Sequence, residues 1–306
     1  MFHKLHTKAA AATAVFVFSA ASLCAQSMAT PQTGAAAAGF GRIGTPPPAY
    51  DFADNSGFTS LFDGTLKGWD YDKNLWDIKD GAIHIVATCE KPTGTVYAVS
   101  TAGEFGDFIL KYEMKGTGSI NGGMQFRSHI TSDANITGGP KMVPMPRPAM
   151  PPRPPAAAGA PPRAPRPAAC ATPGTAPTKE SQAKWDMAGP QADFDAKNQF
   201  AGMNYEQLGR AVIATPGYSM FADLNGSWAV APIVDKATRD GWFKTDDWNQ
   251  FIIVAVGHST SIYMNGHLIT QLVDFDPKYF RTSGKIGVES ENTGDLWTRN
   301  IMIKKL

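Results

Sequence analysis

Three short segments of this chain place acids, amides and an arginine at alternating positions, the spacing that gathers side chains on one face of a β-strand. In Met124-Gln125-Phe126-Arg127 the apolar pair shares one face, and Gln125 and Arg127 share the other. In Gln191-Ala-Asp-Phe-Asp195, Ala192 and Phe194 point one way while Gln191, Asp193 and Asp195 point the opposite way. In Ile286-Gly-Val-Glu-Ser-Glu291, Ile286 and Val288 turn inward, which sends Glu289 and Glu291 outward together. Lined up on one sheet, these faces predict a polar groove. Its carboxyls would move protons, its guanidinium would stabilise negative charge, and its amides would hold hydroxyls. Any one of these faces alone reads more readily as solvated surface, and Arg127 with Asp193 also reads as a structural ion pair.

Other chemistries leave no mark. His84, His129, His258 and His267 are scattered, without the His-Glu-x-x-His spacing of a metalloprotease. Neither a phosphate loop nor a Gly-x-Ser-x-Gly nucleophile elbow occurs. The 306 residues carry 28 Lys and Arg against 27 Asp and Glu, but six basic residues sit in a Pro/Ala-rich stretch with one acid, Glu180. The remainder is mildly acidic, which argues against nucleic acid as a partner.

The elements that must position the groove read as strands. Phe108, Leu110, Tyr112 and Met114 alternate with Ile109, Lys111, Glu113 and Lys115 along a half-buried strand. Phe251–Val256 is apolar on both parities, as for a strand covered on both sides. Asn265-Gly266 between Ser261 and Thr270 predicts a tight hairpin, and a last strand falls near 296–304. Many short strands with little helical periodicity predict an all-β sandwich or barrel. Trp69, Trp228, Trp242 and Trp297 are core candidates, with room for one to stack on a ligand.

Both ends of this pattern have their own texture. Residues 1–29 read as a cleaved export signal, with Lys4 and Lys8 before the apolar run Ala9–Ala21. That run is short of the roughly 20 residues a bilayer span needs, so no membrane span is expected. Leu23 before Cys24 is too large for a lipid-attachment signal, and the mature protein is expected to be periplasmic or secreted. Residues 30–56 form an Ala/Gly/Pro-rich flexible leader, and 57–306 the folded domain. Within it, 138–184 is a low-complexity insertion: fourteen of the 23 prolines lie between Gly138 and Lys179. Proline cannot donate to a sheet ladder, so the insertion is expected to be a disordered surface excursion or a docking peptide. Its Met142, Met145 and Met150 would be soft ligands if copper bound there. Cys89 and Cys170, the cysteines left after cleavage, suggest neither a disulfide framework nor a zinc site, and no staple is expected.

Several motifs, in order, resemble the 3-keto-disaccharide hydrolase family. They are Phe58-Thr-Ser-Leu-Phe-Asp-Gly-Thr-Leu-Lys-Gly-Trp69, Trp76-Asp-Ile-Lys-Asp-Gly-Ala-Ile83 and Gly103-Glu-Phe-Gly-Asp-Phe-Ile-Leu-Lys-Tyr-Glu113. There follow Asn121-Gly-Gly-Met-Gln-Phe-Arg-Ser128, Gly189-Pro-Gln-Ala-Asp-Phe-Asp195, Tyr205-Glu206-Gln207 with Gly209-Arg210, Trp248-Asn249, Asn265-Gly266 and Arg299-Asn300-Ile301. The resemblance implies a two-sheet jelly-roll sandwich of the concanavalin A-like lectin/glucanase type, and an enzyme cleaving 3-keto-disaccharides or 3-keto-glycosides. A ketone on carbon 3 acidifies the proton on carbon 2, so cleavage can proceed through an enolate. On this reading Asp193 and Glu206 are base and acid in either order, and Arg127 stabilises the enolate. Gln125, Gln191, Arg210, Asn121, Glu289 and Glu291 would contact the substrate. Relatives carry a Tyr where this chain has Pro190, and a Gln and a His where it has Glu289 and Glu291. A hard cation such as Ca²⁺ is the metal these oxygen ligands would suit. The alternatives are a non-catalytic carbohydrate-binding module on the same fold, or a surface protein whose Pro-rich segment docks a partner.

Overall fold

The computed structural model describes residues 50–132, Cys170 and 172–306. The predicted export signal, the leader before Tyr50 and residues 138–169 of the insertion lie outside the described residues. Seventeen strands and two short helices are found among those described. In chain order the strands are β1 (Thr59–Ser60), β2 (Trp69–Tyr71), β3 (Trp76–Lys79), β4 (Ala82–Ala87), β5 (Val96–Ser100), β6 (Phe108–Gly116) and β7 (Asn121–Ile130). After the insertion come β8 (Met187–Asp195), β9 (Asn204–Gln207), β10 (Ala211–Ala214), β11 (Tyr218–Asp223) and β12 (Gly226–Pro232). The chain finishes with β13 (Asn249–Val256), β14 (Ser259–Met264), β15 (His267–Asp274), β16 (Lys285–Glu291) and β17 (Gly294–Lys305).

These strands form two sheets. One is ten-stranded, ordered β12-β11-β15-β14-β13-β6-β17-β4-β3 with β1 added on β17, and the other is seven-stranded, ordered β10-β9-β8-β7-β16-β5-β2. Pairing is antiparallel except between β11 and β15. The expected alternation positions the core: Phe108, Leu110, Tyr112 and Met114 of β6 are fully buried, as are Ile286 and Val288 of β16. Tyr112 stacks on Phe251 at 5.3 Å, and Phe251 meets Phe194 of the opposite sheet edge-on at 6.1 Å. Each such buried side chain contributes about 1.5–3 kcal/mol. The sandwich is the predicted concanavalin A-like jelly roll. Asn265 and Gly266, both at positive φ, turn the β14–β15 hairpin as their sequence predicts. β13 is covered on its outer side only in part: Ile252 is buried, whereas Val256 is exposed.

Two tethers differ from the sequence reading. Cys89 and Cys170 are joined by a disulfide across 81 residues, where no staple was expected. Backbone geometry brings them together: Gly174 N–H donates to Cys89 O at 2.9 Å, and a side chain at Gly174 would strike Glu90 O. In the chain-entropy view, closing a loop of this length is worth about 4.5 kcal/mol. The returning part of the insertion is thus fixed to the domain, and its short helix (Lys179–Gln182) donates Gln182 Nε2 to Asp72 at 2.7 Å. The end of the leader is fixed too. Buried Lys111 on the outer face of β6 donates Nζ to Phe52 O at 2.7 Å, Asp54 O at 2.6 Å and Asn55 Oδ1 at 2.5 Å.

Candidate functional site

The outer face of the seven-stranded sheet carries the polar side chains that the alternation predicted. Cross-strand register aligns Tyr97 of β5, Glu289 of β16, Gly123 of β7 and Asp193 of β8 in one row. A second row runs Gly287, Gln125, Gln191, Tyr205 and Val212, and a third joins Glu291, Asn121 and Asp195. Residues in register share a face, so these rows floor one surface. Asn121, Gln191, Asp193, Glu289 and Glu291 line a cleft of about 320 Å³, with Phe200, Met203, Tyr205, Gln207 and Val212 along its other side. That is the size of a small-ligand site.

Gly123 makes the arrangement possible. A Cβ there would lie 2.5 Å from Gln191 Nε2 and from Ala192 O. The missing side chain lets Gln191 lean across and donate Nε2 to Glu289 Oε2. Tyr97 donates its hydroxyl to Glu289 Oε1 at 3.4 Å, and Thr95 Oγ1 donates to Glu291 Oε2 at 3.1 Å. Next to this floor, Tyr97, Val99, Ile130, Trp185 and Met187 pack as an apolar cluster, with Met187 lying over side-chain-free Gly287. That cluster dries one flank of Glu289.

Burial and mutual repulsion then set the protonation. Burial, with Glu291 nearby, pushes the Glu289 carboxyl up to about 8, and the bonds from Gln191 and Tyr97 only partly offset this. Asp193 is raised well above the usual carboxylate range, first by burial and then by the charges of Glu289 and Asp195. Its Oδ1 is buried without a hydrogen-bond partner. Tyr97 is likewise raised, by burial and by Glu289. None of the residues lining the cleft is a Lys or Arg. The cleft therefore presents one carboxyl raised to about 8 and a second raised well above the usual carboxylate range, beside amides able to hold hydroxyls.

The remaining predicted residues lie elsewhere. Arg127 sits at φ 46°, inside a bulge that shifts the β7–β8 register between Gln125 and His129. Its side chain leaves the Gln125 face and donates to Gly106 O at 2.9 Å, Gly257 O at 2.7 Å and Asp107 Oδ1 at 2.7 Å. It therefore neither shares the groove with Asp193 nor forms the alternative ion pair with it. Glu206 is in register with Pro190 and points to the inner side of β9, opposite to Tyr205 and Gln207. There Arg210 grips it, Nε to Oε2 at 2.7 Å, and also grips Asp274 of the other sheet through Nη2 at 2.6 Å and Nη1 at 2.9 Å. Arg127, Glu206 and Arg210 line a separate, narrow cavity of about 20 Å³. Gln125 is fully buried beneath the cleft and bonds Ser128 Oγ at 2.7 Å.

Sequence reasoning missed Tyr97, Thr95, Phe200, Met203 and Val212 as site residues. Tyr97 stands in an apolar run whose burial masks its hydroxyl, and Phe200 lies on a loop without strand alternation. The tryptophans do not line this cleft: Trp69 is buried with Nε1 on Leu61 O, Trp242 stacks on His267, Trp297 packs on His84, and Trp228 is exposed beside Phe221. Among the described residues, the one trio of His, Cys, Asp or Glu that converges as a metal site would is Cys89, Glu90 and Cys170, and its cysteines are disulfide-bonded. No helix among the described residues is long and apolar enough to cross a membrane.

Fold and cleft together define a concanavalin A-like jelly roll with an acid-floored pocket on one sheet face. The chain belongs to the 3-keto-alpha-glucoside-1,2-lyase-like domain family, whose model matches residues 57–304. It is accordingly a carbohydrate-active jelly-roll protein. None of the curated proteins matches the chain. Among solved structures it is similar to a Parabacteroides distasonis ATCC 8503 protein with a provisional glycosyl hydrolase name, at 13% identity over 81% of this chain and 99% of that one, TM-score 0.46. It is also similar to the carbohydrate-binding module CBM66 from Bacillus subtilis, at 12% identity over 78% and 96%, TM-score 0.41. A third, the Bacillus licheniformis beta-glucanase, shares 11% identity over 81% and 97%, TM-score 0.37.

Proposed function

We propose that this protein is an exported enzyme that cleaves 3-keto-glycosides, 3-keto-disaccharides among them, by elimination through an enolate followed by hydration. Glu289 takes the proton from carbon 2, and the freed electron pair moves onto the carbon 3 oxygen. The enolate then expels the oxygen on carbon 1, which leaves with the proton of Asp193. Water adding across the new double bond gives the 3-keto-sugar and the free aglycone. Asn121 and Gln191 hold sugar hydroxyls. A base raised toward neutrality and an acid kept protonated are the pair this chemistry requires, each supplying roughly 10²–10⁴-fold. The observation that carries the reading is that Glu289 and Asp193, both raised, flank side-chain-free Gly123 in one cleft. Export is supported by the Cys89–Cys170 disulfide, a bond that persists in oxidising compartments.

The absence of Lys and Arg from the cleft lining favours a second reading, a binding module that holds a sugar without turning it over. Incubating the purified protein with 3-keto-trehalose in deuterated water separates the two. The enzyme releases glucose and places deuterium on carbon 2, whereas a binding module does neither while still retaining the sugar. A parallel arm with a chelator addresses Ca²⁺, for which this cleft offers oxygen ligands.

A further inference from the structure

From the division of the cleft into a polar and an apolar half, we infer that it favours a glycoside whose aglycone is aromatic or otherwise apolar over one whose aglycone is a second sugar. The inference rests on the proposed function only for which end holds the glycosyl ring. From β16 to β10 the cleft crosses four strand spacings, roughly 19 Å, more than one sugar ring fills. Its chemistry changes along that path. Glu289, Glu291, Asn121, Gln191 and Asp193 occupy one end; Tyr205, Met203, Phe200 and Val212 form the other, with Gln207 as its one amide.

The apolar end is held in place. Phe200 is 41% exposed and Val212 is 47% exposed, and both line the cleft, so apolar surface stands open to a ligand there. Phe200 is not a loose loop residue. The Asp195 carboxylate accepts from Lys197 N and Gln199 N at 3.0 Å each and from Phe200 N at 2.6 Å, and Met203 N donates back to Phe200 O at 2.8 Å. Asp195 thus spends its acceptor capacity fixing the loop that presents the ring. Val212 is fixed by register opposite Tyr205 on the edge strand. A preorganised apolar wall beside a polar floor recognises an amphipathic ligand.

Calorimetric binding of 4-nitrophenyl α-glucoside and methyl α-glucoside to the full chain tests the inference, with Phe200→Ala and Val212→Thr as variants. Both side chains are largely exposed, so melting curves like wild type are expected and establish that the variants fold. The aryl glucoside should bind at least about tenfold tighter than the methyl glucoside, and each variant should shrink that ratio several-fold. Equal binding of the two ligands, or a ratio that neither variant changes, overturns the inference. Turnover of an aryl 3-keto-glucoside beside 3-keto-trehalose reports on the proposed function separately. Aryl-selective binding without turnover of either substrate would retain the apolar subsite and discard the enzyme.

Discussion

Carboxylates occupy two buried places in this domain, and their neighbours make them opposites. In the narrow cavity between the sheets, Glu206, Asp274 and Asp276 all face the Arg210 guanidinium, which is held well above its already high ordinary pKa by those bonds. In the cleft, Glu289 and Asp193 meet only each other, further acids and neutral donors. The first cluster joins β9 to the opposite sheet and has no spare valence. The second has its carboxyls raised, free of any cation, and so can exchange protons with a ligand. Residue type does not separate structure from chemistry here; the presence of one arginine does.

Exchanging the roles of the clusters is the sharpest test. Glu289→Gln should lower turnover of a 3-keto-glycoside by roughly 10²–10⁴-fold while leaving the fold at least as stable at neutral pH, read by steady-state kinetics beside thermal melts. Arg210→Met should do the reverse. It strands three buried carboxylates and costs about 3–5 kcal/mol in chemical denaturation, since one partner of a buried pair is lost.

Stability against pH sharpens the comparison further. Glu289 is raised to about 8 in the fold against an ordinary value of 4.5, so between those pH values the native state binds more protons than the unfolded chain. Stability must therefore fall as pH rises through that window, by on the order of 5 kcal/mol, and Glu289→Gln should flatten the curve. The smallest effect is expected from Tyr97→Phe. Removing a donor to the Glu289 carboxylate raises that group further, moving the alkaline rise in activity up by about one pH unit or less.

Much of this was readable in the amino-acid order. Strict alternation placed Gln191, Asp193 and Asp195 on one face of β8 and Glu289 with Glu291 on one face of β16, because both strands are regular. Arg127 escaped for a local reason: a single non-glycine residue at positive φ breaks the period of two, and nothing in its side chain announces this. Glu206 escaped because β9 inverts the usual pattern. Its polar Asn204 and Glu206 face inward, toward an ion cluster completed by residues some 60 positions away. The disulfide joins residues more remote still, 81 positions apart. Local pattern reports faces; it cannot report which distant partner waits on them.

The Lys111 clasp bears on where the chain can be trimmed. Its ammonium, lowered by burial, takes its acceptors from residues 52, 54 and 55, all in a stretch that composition alone assigns to a linker. A protease or a cloning boundary acting before Tyr50 leaves those acceptors intact. Starting the polypeptide at Phe58, where the strand pattern begins, would strip all three acceptors and the Phe52 ring from the ammonium and leave it to water.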